Sequence, residues 1–515
     1  MLKLKNYINI MFKYFSIVCC LFISEIFAQD TLKYAIKDTT EEYEYLTVSE
    51  LQDKITSLLS DTNFYTANWG VVIRSLKTGE YLYQKDENKL FTPASNLKLF
   101  TTAAGLSLLG SGYRYTTNIY ADGEINYSTL EGNLIVQGTG DPTISGRFYS
   151  GNIYKVFDDW ADSLLELGIT KIKGNIIGDD DLFDEKGLGE GWSWDYETYW
   201  YAAQSSAISF NDNCVDITIY YDKKLDSIIV KYSPVVKGIV VINDVVPVSP
   251  GTGSTDIDVY RERGTNIITV SGTFSQGSDT LKTYATVFNP TLFAMMVFKD
   301  RLEKKGIKVL GYAIDIDDYN KSIDYSKTQF LFSYYSPYLF EIVKVINKGS
   351  QNFFAEQLLK TIGLEKKGFG SVENGILACK EWFAEIGLNP DHILMADGSG
   401  LSHLNRVTPK QIVLLLRYMY ASKNFGAFFS SLPIAGVDGT LARRMKNTRA
   451  ENSVRAKTGF IGFTRSLSGY AFTAEGEPLA FSLIVNNFNV PVKLAENIQD
   501  SICILLSNFK RKHSE

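Results

Sequence analysis

Histidine is scarce in this chain: only His392, His403 and His513 occur in 515 residues, and none forms a close pair with a cysteine. A tetrahedral zinc site draws its ligands from those two residue types, so neither a metal nor any other cofactor is expected. Cysteine is nearly as rare. Cys19 and Cys20 lie in the first 28 residues, which leaves Cys214, Cys379 and Cys503, an odd number that argues against a disulfide framework. Positive charge is not in excess either. With 52 basic against 58 acidic residues the net charge is -6, which excludes the basic footprint of a nucleic-acid binder. Beyond the N-terminus no apolar run approaches the ~18 residues that span a bilayer, and no internal repeat or low-complexity tract is visible.

The first 28 residues read as an address. Lys3, Lys5 and Lys13 precede the apolar run from Phe15 to Ile23, and Ala28 before Gln29-Asp30 offers a cleavage point, so residues 1–28 are expected to be a signal peptide. The mature protein is then secreted across the inner membrane, into the periplasm. Glu25 and Ile26 fit the cleavage pattern poorly, and a retained anchor stays open. Ser16-Ile17-Val18 lacks the small residues that a lipid-anchored Cys19 would want.

What the chain does contain is three short motifs in one order: Ser95-Asn96-Leu97-Lys98, Ser350-Gln351-Asn352 and Lys457-Thr458-Gly459. Together they are the parts of an acyl-transferring serine enzyme. A serine hydroxyl is a poor nucleophile at neutral pH and needs a base, and a lysine serves if its surroundings disfavour the ammonium. Each motif alone is weak. Ser507-Asn508-Phe509-Lys510 repeats the first spacing, Ser150-Gly151-Asn152, Ser209-Phe210-Asn211 and Ser422-Lys423-Asn424 repeat the second, and Lys77-Thr78-Gly79 repeats the third. Context separates them. Lys77-Thr78-Gly79 lies between two strand-like runs and reads as a hairpin turn, and nothing after Ser507 could complete a site.

Thr92 as cap and Pro93 at the first helical position would put Ser95 and Lys98 in an opening helical turn, on one face. The residues from Leu97 to Leu109 are apolar on nearly every side, which predicts a buried helix and a lysine of depressed pKa. Ser350-Gln351-Asn352 is expected in a loop entering a helix. Lys457-Thr458-Gly459 is expected on a strand, followed by strands over Leu467–Phe472 and Leu479–Val485 in an antiparallel meander. A lysine, a hydroxyl and a glycine beside the nucleophile would hold a substrate carboxylate and let its backbone come close.

The motif set resembles the active site of the penicillin-recognising serine enzymes. Longer phrases resemble the D-alanyl-D-alanine carboxypeptidase/endopeptidase family of low-molecular-mass class C penicillin-binding proteins. These phrases are Gly138-Thr139-Gly140-Asp141-Pro142, Gly191-Trp192-Ser193-Trp194, Asn211-Asp212-Asn213-Cys214, Asp397-Gly398-Ser399-Gly400-Leu401-Ser402 and Val437-Asp438-Gly439-Thr440-Leu441. They run from about residue 50 to the C-terminal helix. Two positions depart from the pattern: Phe460 stands where the family usually has Thr or Ser, and His403 where it usually has Arg.

The resemblance implies an α/β (α+β) fold, a penicillin-binding/serine β-lactamase-like transpeptidase domain carrying large, mainly β inserted accessory domains. It implies Ser95 as nucleophile, Lys98 as base, Ser350 as proton relay, and Asn352 as the residue orienting Lys98 and the substrate amide. Lys457 and Thr458 would bind the terminal carboxylate, and Gly459 and Phe460 would complete the substrate strand, with the Phe460 N–H in the oxyanion hole. Peptidoglycan stem peptides are the implied substrates and β-lactam antibiotics the implied inhibitors. An acidic residue of the insertion is further implied to face the cleft and pair with a stem-peptide amine. Asp179 is the best match, and a solvated acidic turn is the alternative for it.

Ser95 and Ser350 stand 255 positions apart, too far for two walls of one compact cleft. The expected organisation is therefore a catalytic domain split into residues 29–113 and 326–515, with an accessory region over 114–325 that the resemblance divides into two nested domains. Residues 494–509 carry a helical apolar stripe at Leu494, Ile498, Ile502, Leu505 and Phe509, expected to pack on the catalytic sheet, with a membrane-lying helix as the alternative. Two other readings of function stay open: a β-lactamase or esterase on the same catalytic fold, and a cell-wall-binding homologue without turnover. Oligomeric state is not legible.

Overall fold

The structure, a computed structural model, describes residues 44–512. The expected signal peptide, residues 1–28, lies outside the described residues. The segments expected to be catalytic build a five-stranded antiparallel sheet, in the order Arg455–Ile461, Thr464–Phe472, Pro478–Asn486, Asn68–Ser75, Tyr81–Lys85. The first three strands are the expected meander. Lys77-Thr78-Gly79 is the turn of the last hairpin, where Gly79 adopts φ 81°.

Both faces of this sheet are covered, and strand alternation sorts the side chains between two cores. Val71 and Ile73 point to one core with Leu483 and Val485, whereas Val72 and Ile484 point to the other. The first core is roofed by the helices Val48–Leu59 and Val492–Asn508 through Leu51, Ile55, Ile498 and Ile502. The C-terminal apolar stripe is therefore core, as its period predicted. The helix ends at Asn508, and Phe509–Arg511 pairs in parallel with Glu44–Leu46. The second core holds the helices Lys98–Leu108, Leu339–Lys348, Asn352–Lys367, Val372–Glu385 and Pro409–Ala421. Among the described residues no helix is long and apolar enough to cross a membrane.

A separate apolar cluster lies between the two catalytic segments of the chain. Its five-stranded sheet runs Ala313–Asp315, Ile176–Asp179, Asn133–Gln137, Thr116–Asp122, Gln329–Tyr335. Helices Lys155–Glu166 and Pro290–Lys304 pack there through Phe157, Trp160 and Phe298. Gly174 lies between the short strands Lys171–Ile172 and Ile176–Asp179. The strand Gln329–Tyr335 falls past residue 325, yet it pairs with Thr116–Asp122, so this sheet is closed by a segment assigned above to the catalytic part.

Within this region, residues 214–286 form two three-stranded sheets. Cys214–Asp222 is flanked by Ser227–Ser233 and Leu281–Thr286, and Ile267–Ser275 by Val240–Val248 and Asp256–Arg261. The runs Ile217–Tyr220, Ile228–Val230 and Ile267–Val270, rich in β-branched residues, lie on these strands.

Candidate active site

Ser95 is half-buried in a single 3-10 turn, Ala94–Leu97, and the α-helix starts only at Lys98. The expected cap is not formed. The backbone of Thr92 instead exchanges hydrogen bonds with the Asn486 side chain (2.8 and 3.1 Å), which ties the approach to the sheet. Ala94 then takes a left-handed backbone, φ 48°, which a residue with a Cβ adopts only under constraint. That constraint is visible. Ser466 Oγ donates to the Pro93 carbonyl (2.6 Å), and Asn96 Nδ2 donates to Ser468 Oγ (2.7 Å), so two positions of the neighbouring strand clamp the turn.

Lys98 is fully buried beneath this turn. Its Nζ donates to Ser95 Oγ (3.0 Å), Asn352 Oδ1 (2.6 Å) and the Ser399 carbonyl (2.6 Å). Burial lowers the Lys98 pKa to about 7, against the opposing pull of Asp397 and Glu356, so a large fraction is free amine at neutral pH. Those two carboxylates shape the floor rather than touch the amine. Glu356 accepts from the N–H groups of Gly398 and Ser399 (2.9 and 2.8 Å). Asp397 accepts from Gly400 N, Ser402 N, Asn405 Nδ2 and Trp192 Nε1, at 2.6–3.0 Å. The loop they hold carries the Ser399 carbonyl that Lys98 contacts. Burial pushes the Glu356 carboxyl up to about 7, with the nearby Asp397 charge adding to it.

Ser350 precedes the helix Asn352–Lys367 and has a left-handed backbone, φ 55°. Its Oγ accepts from Lys457 Nζ at 2.8 Å. Lys457 is buried on the strand Arg455–Ile461, and its pKa falls well below the ordinary lysine range through burial first, then the neighbouring charges of Lys98 and Arg465. Asn352 spends its carbonyl oxygen on Lys98, and its Nδ2 donates to the Tyr201 carbonyl (2.7 Å). An amide nitrogen carries two hydrogens, so one donor is left for a substrate.

The strand Arg455–Ile461 is the outermost of its sheet; its start is bridged to Ile434, and the edge beyond offers backbone groups to an extended peptide. Gly459 permits its close approach to Ser95, since a Cβ there would lie 2.8 Å from Pro93 O and 3.0 Å from Ser95 N. Thr458 Oγ1 donates to Thr440 Oγ1 (2.7 Å), which brings a second hydroxyl beside it. Phe460 is 53% exposed, and the Arg465 guanidinium lies 5.7 Å from its ring centre.

Asp179 is not brought into this group. It is buried at the end of the strand Ile176–Asp179, accepts from the Tyr325 hydroxyl and the Asp181 N–H, and lines a cavity of about 580 Å3 with Gln137, Asp317 and Lys321. Its hydrogen bonds go to Tyr325 and Asp181, neither of them a motif residue. Among the described residues, the carboxylates close enough to share a cation are Asp181, Glu185 and Asp317, all exposed and joined by no histidine or cysteine.

The motifs did not reveal Glu356, Asp397, Ser399, Thr440 or Tyr201 as parts of the site. The signal for most of them was present in the longer phrases, because Asp397-Gly398-Ser399 and Gly439-Thr440 occur there as recognisable blocks. Tyr201 contributes a backbone carbonyl, which no side-chain pattern encodes.

The chain matches the family model described as "D-Ala-D-Ala carboxypeptidase 3 (S13) family" over residues 51–509. It is 32% identical over 473 residues to a D-alanyl-D-alanine carboxypeptidase of Actinomadura sp., covering 90% of this chain and 85% of the relative. It is 26% identical over 427 residues to the D-alanyl-D-alanine carboxypeptidase DacB of Haemophilus influenzae, covering 82% and 86%. The crystal structure of penicillin binding protein 4 (dacB) from Haemophilus influenzae superposes with a TM-score of 0.74 at 24% identity, over 89% of this chain and 99% of that one. At that identity the likeness bears on the fold, which it matches across the catalytic part and the insertion together.

Proposed function

Because the chain belongs to this D-Ala-D-Ala carboxypeptidase family and is accordingly a serine-type D-alanyl-D-alanine carboxypeptidase, we propose that it cleaves peptidoglycan stem peptides or cross-links through an acyl-enzyme on Ser95. The observation that carries the reading is the chain of contacts Ser95–Lys98–Asn352 beside Lys457–Ser350, in which two buried lysines flank two hydroxyls.

In this reading Ser95 Oγ attacks the carbonyl carbon of the penultimate D-alanine while the free amine of Lys98 takes its proton. Negative charge gathers on the carbonyl oxygen, between the N–H groups of Ser95 and Phe460. Such fixed donors are worth about 3–4 kcal/mol each in a transition state. Ser350 hands its proton to the leaving amine nitrogen as the C–N bond breaks, and the proton that Lys98 took from Ser95 replaces it by way of Lys457, held on Ser350 Oγ, which returns Lys98 to the free amine. Water then attacks the ester carbonyl, with Lys98 accepting its proton and passing it to Ser95 Oγ as the ester bond breaks. The substrate carboxylate sits at Thr458 and Thr440.

Penicillins present a strained amide and a carboxylate in the same relation, so they acylate Ser95. The expected place of work is the envelope side of the inner membrane, in the periplasm.

Mass spectrometry after incubation with penicillin and with a peptide ending in D-Ala-D-Ala tests the reading. A long-lived penicilloyl adduct on Ser95 with release of D-alanine supports it. Rapid penicillin hydrolysis without an adduct favours a β-lactamase, and inertness to both favours a wall-binding protein.

A further inference from the structure

The loop that carries Ser350 and Asn352 is held from behind by the inserted region, at a place the mechanism above does not use. Gln351, between those two residues, is 3% exposed and points away from the catalytic groups, its Nε2 donating to Asp212 Oδ2 at 2.9 Å. The same Asp212 oxygen accepts from Arg147 Nε at 2.6 Å, and a second guanidinium nitrogen of Arg147 also reaches it.

The backbone presenting Asp212 is unusual. Asn211, Asp212 and Asn213 are three consecutive non-glycine residues with left-handed backbone, φ 50°, 54° and 54°. A Cβ disfavours that conformation, so the surroundings must enforce it. Asn211 Nδ2 donates to the Cys214 carbonyl and to Asp216 Oδ1 (3.1 and 3.0 Å). Asn213 Nδ2 donates to the Gln204 carbonyl and to Ser209 Oγ (2.8 and 3.0 Å). Both asparagines are thus spent inward on fixing the turn. The residue between them projects across to Gln351.

On this side the loop is tied to the inserted region by the Gln351–Asp212 bond and by the Asn352 Nδ2 bond to the Tyr201 carbonyl (2.7 Å). A cavity of about 380 Å3 is lined by Gly349, Gln351, Asp212, Arg147 and Trp200, so the Gln351–Asp212 contact borders open space that leaves the loop room to shift if the contact is lost. On its own domain Gln351 has a backbone bond to the Ile346 carbonyl (3.1 Å), which fixes where the loop starts but not the tilt of the left-handed Ser350.

We propose that Asp212 is a positioning residue: oriented by Arg147, it acts through Gln351 to set the Ser350–Asn352 loop against Lys98 and Lys457. This rests on the role given above to Ser350 and Asn352, and it assigns the inserted region a part in the chemistry of the catalytic domain.

The test compares penicillin acylation rates of Asp212→Ala, Asp212→Asn, Gln351→Leu, the Asp212→Ala/Gln351→Leu pair and Ser350→Ala, each divided by its own active-site titre. An ångström-scale misplacement costs on the order of 100-fold. Asp212→Ala and Gln351→Leu are therefore expected to lose about 10- to 100-fold in the maximal acylation rate with little change in the concentration needed for half-saturation. Asp212→Asn, which can still accept from Gln351, recovers most of the rate. The pair is expected to be no slower than the slower single variant, since both break one connection.

A wild-type rate per active site in both Asp212→Ala and Gln351→Leu, with Ser350→Ala still slow, overturns the positioning role and leaves the mechanism intact. Multiplied losses in the pair overturn it as well. If Asp212→Ala does not fold, Gln351→Leu alone decides by the same criterion. A wild-type rate in Ser350→Ala removes the mechanism, and with it the positioning role.

Discussion

The Lys98 amine lies 2.6 Å from the Asn352 carbonyl oxygen, across 254 positions of sequence. A neutral acceptor at that distance orients the amine without adding a charge that would hold its proton. Burial then dominates, and the Lys98 pKa falls to about 7.

The rate of acylation should follow that titration. Below pH 7 Lys98 is ammonium and cannot accept the Ser95 proton; above it the free amine can. The acylation rate constant for penicillin is therefore expected to rise through an apparent pKa near 7, as read by stopped-flow or quenched labelling between pH 5 and 9. Asn352→Asp places a carboxylate against the amine and moves that limb to higher pH. A profile flat across the range in the wild type would mean that another group takes the proton.

Ser95→Ala removes one hydroxyl from a turn clamped by Ser466 and Asn96. It is expected to abolish penicillin labelling and D-alanine release while leaving the thermal midpoint within a few degrees. Ser507 has the same Ser-x-x-Lys spacing, but it is buried near the end of the C-terminal helix, and the helix ends before Lys510. Ser507→Ala should label as wild type does, by gel or mass spectrometry.

The difference between Ser95 and Ser507 shows what the sequence could convey. Spacing alone did not separate them, whereas the order of three motifs and the phrases around them did, because a cleft needs all its walls. The meander was legible as short apolar runs, Leu467–Phe472 and Leu479–Val485, that are buried on both faces, and the C-terminal helix through its 3.6-residue period. What escaped was set by tertiary clamps. The 3-10 turn at Ala94–Leu97 exists because strand side chains hold Pro93 and Asn96, and the closing strand Gln329–Tyr335 is defined by a partner some two hundred residues earlier. Neither leaves a local pattern. The site's second layer, Glu356 and Asp397, acts on backbone N–H groups, and a side-chain motif does not register that.

Lys457 is the residue whose expected role the geometry changes most. From its motif it was a carboxylate binder, yet its Nζ sits 2.8 Å from Ser350 Oγ with a pKa well below the usual lysine range. Lys457→Ala is therefore expected to slow acylation by about 100-fold or more both for a D-Ala-D-Ala peptide and for a thioester lacking the carboxylate, in the usual range for loss of a general acid–base group. Comparing kcat/KM for the two substrates checks this. A loss confined to the carboxylate-bearing peptide would return Lys457 to simple recognition.

Asp179 gives the last prediction. Its carboxylate is 5% exposed and accepts the Tyr325 hydroxyl, an arrangement in which burial and Asp179 itself hold the phenol proton in place by raising its pKa. Each of its oxygens is already held, Oδ2 by the Tyr325 hydroxyl and Oδ1 by the Asp181 N–H, and these bonds tie it to the insertion and not to Ser95 or Lys98. Asp179→Asn is therefore expected to change cleavage of peptides with a free side-chain amine and of their acetylated forms by the same factor. It should also cost about 1 kcal/mol of stability, the difference between a charge-assisted and a neutral hydrogen bond. Tyr325→Phe should lower the thermal midpoint comparably, since it removes the same bond from the other side. Selective loss on the free-amine peptide, with the midpoint unchanged, would place Asp179 in the substrate site after all.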